Sequence, residues 1–223
     1  MKKINVNIHQ LKLALYKSIL FSGLDDVLIN KIAKLIKCYF IKKKEKVVIE
    51  RQKGQDIFIV VSGKINVYFQ NNKKRFLVTR LLIGDIFGEI GFFTKQRTAN
   101  CESAEDTIIG VIKYKNFSKF LFSNKQIIFN LIKTLISRIL ETDKEIKNLV
   151  FRPVIQRVAN VILSETYRKK AIILNIHSLS QKTAAARETV SRTISLLEKT
   201  GILKRQQNML VVTNRQKLKE ILR

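Results

Sequence analysis

The feature that most constrains this chain is a seam of apolar residues that alternate three and four positions apart. Isoleucine and leucine occupy the seam and one threonine interrupts it: Ile132, Leu135, Ile139, Thr142, Ile146 and Leu149. A heptad with isoleucine at one position and leucine at the other favours a parallel two-stranded coiled coil. The pattern therefore predicts a long helix that joins two copies of the chain. Packing of the stripe on its own chain is the alternative.

The sequence on either side of this helix has different patterns. From Leu11 to Cys38 apolar residues recur at helical spacing, interrupted by Gly23. From Tyr39 to Tyr114 short β-branched and aromatic runs alternate with turns such as QNNKK, which is typical of an antiparallel barrel or sandwich. We predict three parts, over residues 1–121, 122–151 and 152–223.

The last part of the sequence predicts several short helices followed by a hairpin. After Pro153 ends the long helix, the sequence predicts a further helix, a strand at KKAIILNI and two more helices. The second of these two begins near Arg187, and its apolar residues share one face: Val190, Ile194 and Leu197. The segments around residues 206–208 predict a hairpin wing. The polar face of the Arg187 helix can therefore enter a groove.

Composition narrows the function classes. The 223 residues include 43 Lys and Arg against 17 Asp and Glu, a formal charge of +26, so an anionic partner is expected. No apolar run approaches the roughly 18 residues of a membrane-spanning helix, and the N-terminus lacks the apolar core of a secretory signal. We therefore expect no membrane partner. Two distant histidines and scattered acidic residues give no basis for an enzyme.

A second motif, GDIFGEIGFFTKQRTA, suits a cyclic phosphate. Gly88 and Gly91 predict exposed backbone N–H groups, and Arg97 and Thr98 supply a cation and a hydroxyl. Glu89 can accept a hydrogen bond from a ribose 2′-hydroxyl. The motif therefore predicts an effector site in the barrel, with a purely structural frame as the alternative.

The polar face of the Arg187 helix carries side chains that suit base edges. An arginine fork matches O6 and N7 of guanine, and a carboxylate accepts from the N4 amine of cytosine. Arg187, Glu188 and Arg192 supply these groups. Other residues are candidate phosphate contacts: Lys182, Thr189, Ser191, Lys204 and Arg205. A solvated helix face is the alternative explanation of the same charges.

In this order, the GDIFGEIGFFTKQRTA string, the heptad helix and the string RETVSRTISLLEKTGIL resemble the cyclic-AMP receptor/FNR (Crp/Fnr) family of bacterial transcription regulators. The resemblance covers about Leu20 to Val212. It implies an α+β fold with an N-terminal cyclic-nucleotide-binding-like β-barrel (jelly roll), a long dimerisation helix and a C-terminal winged helix-turn-helix. It also implies a homodimer that binds double-stranded DNA, acts with RNA polymerase and responds to a small effector. The expected location is the bacterial cytoplasm, or the stroma if the chain is encoded by an organelle.

The resemblance also assigns effector positions. Four residues match the family's cyclic-nucleotide positions: Gly88, Glu89, Arg97 and Thr98. Thr142 matches the position on the central helix that meets the base. Asp143 stands where the nucleotide binders have a small hydroxyl residue, and a carboxylate there repels a phosphate.

Two alternatives to a cyclic nucleotide stay open. The SRILETD segment around Arg138 is similar to the nitrogen-control branch, whose effector is 2-oxoglutarate, and Arg97 and Arg138 would hold this dicarboxylate. The other alternative is an effector-independent regulator that acts through a protein partner. No metal or covalent cofactor is expected, because an iron–sulfur sensor needs four thiolates and neither His9 nor His177 suits a haem.

The predicted helix-turn-helix departs from the family pattern at its turn. Lys182, Thr183 and Ala184 stand where the family has an apolar pair and a glycine, and Ala186 replaces the usual Ser or Thr cap. Alanine at this position costs about 1 kcal/mol of helix stability. We therefore expect weaker or geometrically altered DNA binding.

Overall fold

The computed structural model describes residues 1–71, 74–167 and 171–222. Residues 72 and 73 of the predicted QNNKK turn, residues 169 and 170 of the predicted KKAIILNI strand and the final residue of the predicted third part lie outside these ranges. The chain divides into two compact units, Met1–Ile139 and Leu140–Arg223. None of the helices in the described ranges is long and apolar enough to cross a lipid bilayer.

Two antiparallel sheets form the first unit. Its first helices are Ile8–Lys17 (α1) and Asp26–Leu35 (α2), with a 3-10 turn at Ile19–Phe21 between them. The described strands are Lys2–Ile4 (β1), Lys37–Ile41 (β2), Lys46–Val48 (β3), Ile57–Ser62 (β4), Ile65–Asn71 (β5), Lys74–Leu81 (β6), Ile86–Phe87 (β7), Asn100–Ser103 (β8) and Thr107–Ile112 (β9). One sheet has the order β1-β2-β9-β4-β7 and the other β3-β8-β5-β6. The predicted antiparallel barrel is confirmed.

Strand β4 separates two hydrophobic cores. Ile57, Ile59 and Val61 pack in the core formed with α1 and α2, whereas Phe58 and Val60 pack in the core between the two sheets. Successive side chains of a strand point to opposite faces, so a strand covered on both sides has a continuous apolar sequence. This explains the apolar run that precedes the GKINVY turn and strand.

Three helices complete the first unit and lead into the second: Glu89–Thr94 (α3), Tyr114–Ser123 (α4) and Lys125–Phe151 (α5). Helix α3 lies inside the GDIFGEIGFFTKQRTA motif. The sequence patterns do not indicate β1 or α3, which are too short to display a clear period, and α4 was also missed although it is as long as α2. Helix α5 ends at Phe151, immediately before Arg152 and Pro153, as predicted.

Helix α5 has two apolar faces, and only one is exposed. Leu135 is partly buried against the core of the first unit, so its assignment to the exposed seam is wrong. Ile136 takes its place, since it is 51% exposed. The exposed stripe recurs at three and four positions: Phe129, Ile132, Ile136, Ile139, Asp143 and Ile146. The side chain of Leu149 lies outside the described part of the chain.

The second unit is a small helical domain with a three-stranded sheet. Its elements are Val154–Glu165 (α6), Ala171–Ile173 (β10), Ile176–Thr183 (α7), Arg187–Lys199 (α8), Leu203–Gln206 (β11), Met209–Val212 (β12) and Arg215–Glu220 (α9). The sheet order is β10-β12-β11, and β11 and β12 form the predicted hairpin wing. Val190, Ile194 and Leu197 of α8 are buried in one core with residues of α6. The predicted helix-turn-helix with a wing is therefore confirmed.

The turn between α7 and α8 lacks the residues that normally stabilise it. Ala184 ends α7 with a φ of 49°, in the left-handed region that disfavours residues with a Cβ. Ala186 precedes α8 and offers no side-chain hydrogen bond to its first N–H groups. Each feature costs about 1 kcal/mol, so this turn is intrinsically weak and depends on packing between the helices.

Candidate functional site

The first candidate site lies where β7 runs into α3. Gly88, with a φ of 82°, immediately precedes α3, and Glu89 is the first residue of that helix. Arg97 follows α3 in the chain, and Arg138 reaches the same place from α5. All four residues belong to the first unit, so the fold brings together one predicted glycine, one predicted carboxylate and two predicted cations.

The buried carboxylate of Glu89 forms an ion pair with the partly exposed guanidinium of Arg138. Arg138 contacts Oε1 of Glu89 through Nη1 and donates to the carbonyl of Ile86 through Nη2. Glu89 is only 1% exposed. Its other oxygen, Oε2, is buried and accepts no hydrogen bond within the described part of the chain. Because an unsatisfied buried acceptor costs about 1–3 kcal/mol, this oxygen is suited to a hydroxyl or N–H group of a ligand.

Arg97 is buried too, and it binds the main chain. Its Nη1 donates to the carbonyl of Gly88 and its Nη2 to the carbonyl of Asp56, each at 2.9 Å. The guanidinium carbon lies 5.2 Å from the ring centroid of Phe58. Burial lowers the pKa of the Arg97 guanidinium, and the nearby Asp56 carboxylate opposes that change. Arg97 therefore fastens the start of α3 to the residue that precedes β4.

The glycines around this motif leave room for the Arg97 guanidinium. A Cβ at Gly54 would lie 2.7 Å from Nε of Arg97. A Cβ at Gly88 would lie 2.6 Å from Nη1 of Arg97, and a Cβ at Gly91 would lie 2.9 Å from the same atom. These separations are shorter than van der Waals contact, so side chains are excluded at all three positions. A phosphate is therefore not required to explain the glycines.

The remaining predicted effector residues are more exposed. Thr98 is exposed immediately after Arg97. Thr142 and Asp143 are exposed on α5 beyond the boundary between the units, at least one helical turn after Arg138. Gly54 and Asp56 were not predicted, and their only signal in the sequence is the string KGQDIFIVV upstream of the motif.

The second candidate site is the exposed face of α8. This face lines a groove of about 760 Å³ with the following residues: Arg187, Glu188, Ser191, Arg192, Ser195, Leu196 and Lys199, together with Ile176 of α7. The three predicted base-reading residues and the predicted phosphate contacts Thr189 and Ser191 are exposed. Because the apolar face of α8 is buried, this polar face is the one that a nucleic acid can reach.

The predicted phosphate-contacting cations differ in their partners. Lys182 forms an ion pair with Glu165. Arg205 forms one with Glu198, at 3.1 Å between Nε and Oε1. Lys204 is exposed on β11. A carboxylate beside a cation offsets its attraction for phosphate, so we expect Lys204 to contribute more to DNA affinity than Arg205.

We predict that Gly54→Ala destabilises the first unit by about 2 kcal/mol, because its Cβ overlaps the buried Arg97 side chain. Since the three closest atoms all belong to Arg97, the same substitution in an Arg97→Ala background is expected to be neutral or to stabilise by about 0.5 kcal/mol. Urea unfolding of the wild type, both single variants and the double variant measures this coupling. An equal loss in the two backgrounds would contradict it. If Arg97→Ala does not fold, Arg97→Lys replaces it.

Comparison with protein families finds two matches along the chain. The cyclic nucleotide-binding domain matches residues 40–124, which include the GDIFGEIGFFTKQRTA motif with Glu89 and Arg97, named the cassette from here on. The Crp-like helix-turn-helix domain matches residues 156–221, which include α7, α8 and the wing. The first match contains Glu89 and Arg97 of the first candidate site but not Arg138, and the second match contains the exposed face of α8, in the predicted order.

Curated proteins of similar sequence are bacterial regulators. The cAMP-activated global transcriptional regulator CRP of Pasteurella multocida is 27% identical over 158 residues, which cover 66% of this chain and 76% of that protein. The cAMP-activated global transcriptional regulator Vfr of Pseudomonas aeruginosa is 23% identical over 163 residues, 67% of this chain and 76% of that protein. The similarity therefore extends over most of each relative.

Solved structures show the same fold over nearly the whole chain. A transcriptional regulator of the Crp/Fnr family from Eubacterium rectale has a TM-score of 0.76 at 15% identity, covering 91% of this chain and 97% of that one. A CooA variant from Carboxydothermus hydrogenoformans has a TM-score of 0.72 at 24% identity, covering 100% and 98%. With a cyclic nucleotide-binding domain followed by a Crp-like helix-turn-helix, this chain belongs to the Crp/Fnr family of transcription regulators.

Proposed function

We propose that the protein is a homodimeric transcription regulator in which a cyclic nucleotide bound beside Glu89 and Arg138 controls DNA reading by α8. The observation that carries the effector proposal is the buried Oε2 of Glu89, which lacks a hydrogen-bond donor within the described residues. Each protomer presents one α8, so the DNA site is pseudo-palindromic with half-sites about one helical turn apart. RNA polymerase is the expected protein partner.

The DNA-reading part of the proposal rests on the division of α8 into two faces. Arg187 and Arg192 provide forked donors for guanine, and Glu188 provides an acceptor for the cytosine amine. All three are exposed, while the opposite face of the helix is buried. The formal charge of +26 adds a general attraction for the phosphate backbone.

A cyclic nucleotide fits the cassette better than a dicarboxylate does. The 2′-hydroxyl of a ribose can donate to Oε2 of Glu89, whereas 2-oxoglutarate would bring a second negative group beside that oxygen. A guanidinium has five N–H donors, and Arg97 uses two of them for carbonyls in the structure. The remaining donors and the hydroxyl of Thr98 can serve a phosphate. The cAMP-activated relatives support this choice of effector.

The homodimer part of the proposal rests on the exposed stripe of α5. Phe129, Ile132, Ile136 and Ile139 are each about half exposed, although their apolar side chains repeat with the spacing of a coiled-coil seam. Leu135 on the neighbouring face is already packed against its own unit. A second copy of the same helix is therefore the occupant that matches the repeat of this stripe.

We predict that Arg187→Ala lowers discrimination between a selected duplex and random duplexes about tenfold, because a bidentate base contact is lost. Lys204→Ala should instead weaken all duplexes alike and reduce the salt slope by about 1. Fluorescence anisotropy over a range of salt concentrations separates the two effects. Arg205→Ala is the matched control, with a smaller effect because Glu198 already offsets its charge. Equal losses on selected and random DNA in Arg187→Ala would contradict base reading.

We predict that Ile136→Lys converts a dimer into a monomer, because it places a charge on each side of the proposed seam. Ser137→Lys is the control, since Ser137 is exposed next to the stripe but outside it. Analytical ultracentrifugation measures both variants and the wild type. A wild-type monomer, or an Ile136→Lys dimer as tight as the wild type, would overturn the proposed interface.

We predict that cyclic AMP or cyclic GMP stabilises the protein, by about 2.7 kcal/mol at a concentration 100 times its Kd. The matching 2′-deoxy cyclic nucleotide should bind about tenfold more weakly, because it cannot donate to Glu89. Glu89→Gln should reduce this difference. Thermal unfolding with each ligand makes the comparison.

The same thermal series includes 2-oxoglutarate. If 2-oxoglutarate stabilises the wild type but not Arg138→Ala, the effector is a dicarboxylate and not a cyclic nucleotide. Stabilisation by none of these compounds would favour a regulator that acts without a small effector. Equal binding of the ribo and 2′-deoxy compounds would contradict the role of Glu89.

A further inference from the structure

We propose that His177 positions the base-reading side chain of Arg187 and makes sequence discrimination depend on pH. This inference rests on the proposed DNA-reading function of α8. Nη2 of Arg187 lies 2.5 Å from Nδ1 of His177, and both side chains are exposed. The contact joins the first turn of α7 to the first residue of α8, across the turn of the helix-turn-helix.

The chemistry of the two groups determines the protonation state that permits this contact. A guanidinium has donors and no acceptor, so Nδ1 of His177 must accept the hydrogen bond. The imidazole is therefore neutral, with its proton on Nε2. A protonated ring offers only donors, and it would place a second positive charge against Arg187.

The two ends of the contact differ in how firmly they are held. His177 belongs to α7, where the side chain of Asn175 caps the helix by accepting from the N–H of Ser178 at 2.9 Å. Arg187 begins α8, and Ala186 before it provides no side-chain cap. The imidazole is thus the better-placed group, and it limits the conformations of a long side chain before DNA arrives. Less conformational freedom is then lost when Arg187 binds a base.

Protonation of His177 has two opposite effects on DNA binding. It ends the hydrogen bond and repels Arg187, so the guanidinium is no longer held toward one base position. It also adds a positive charge beside the DNA-binding face, which strengthens the attraction for any phosphate backbone. Acidification should therefore raise affinity for random DNA while it lowers discrimination between sequences.

The charged groups on the helices of this unit do not change charge in the same pH range. Glu188 and Arg192 follow Arg187 on α8, Lys182 of α7 is paired with Glu165 of α6, and α6 also carries Arg157. Carboxylates, guanidiniums and ammonium groups as classes titrate outside about pH 6 to 8, whereas an imidazole titrates within it. The chain has two histidines, and the other, His9, belongs to α1 of the first unit.

The test compares full-length variants on a DNA probe selected by the wild-type protein at pH 8 from a randomised duplex library. Affinity is measured for the selected duplex and for the unselected library at pH 8, 7 and 6 and at constant salt. We expect wild-type discrimination to fall about tenfold toward pH 6, which corresponds to the loss of one base contact. Affinity for the unselected library should rise over the same range.

Two variants of His177 and one control separate positioning from a general effect of charge. His177→Gln provides an amide oxygen that accepts from Arg187 at every pH, so discrimination should stay near its value at pH 8. His177→Ala should show low discrimination at every pH. His9→Gln should behave like the wild type. Circular dichroism and thermal unfolding check that each variant is folded.

The outcomes distinguish this inference from the proposed function. If the wild type selects no duplex over the library at any pH, sequence reading by α8 is itself overturned. If it selects a duplex but discrimination is independent of pH, or falls equally in His177→Gln, only the role of His177 is overturned.

Discussion

The ion pair between the buried Glu89 and the partly exposed Arg138 is the interaction on which the rest of this structure depends. It connects the cassette at the start of α3 to α5, the helix that begins in the first unit and continues into the second. Removing Arg138 would leave the buried Glu89 carboxylate without its counterion, which costs about 3–5 kcal/mol. Because Oε2 of Glu89 has no hydrogen-bond donor within the described residues, a ligand that donates to it would act on a residue that is paired with α5.

Helices α5 and α8 each have one face that is buried in their own unit and one face that is exposed. Helix α5 packs Leu135 against its own barrel and leaves Ile132, Ile136 and Ile139 exposed. Helix α8 buries its apolar face and exposes a polar one. In each case the buried face decides how the helix is attached, and the exposed face decides what it can bind. The proposed dimer and the proposed DNA contact therefore follow from one physical rule applied to different side chains.

Several features could be predicted from the sequence because they depend on local period and residue chemistry. The alternation of strands, the end of α5 near Pro153 and the two-faced pattern of α8 are of this kind. The assignment of Leu135 to the exposed seam was wrong because the apolar residues of a helix with two adjacent apolar faces fit more than one heptad pattern. The contact between His177 and Arg187 could not be predicted, since it depends on how α7 packs against α8 across an alanine turn.

The sequence by itself determined the order of the two domains, the long helix between them and the residue types that suit a phosphate and base edges. Only the tertiary structure decided what those residues contact. Gly88 and Gly91 are compatible with an exposed anion site in the sequence, yet in the folded chain they surround the guanidinium of Arg97. The physical reason is that a motif specifies donors, acceptors and backbone freedom, whereas β4, α3 and α5 must meet before any of these groups acquires a partner.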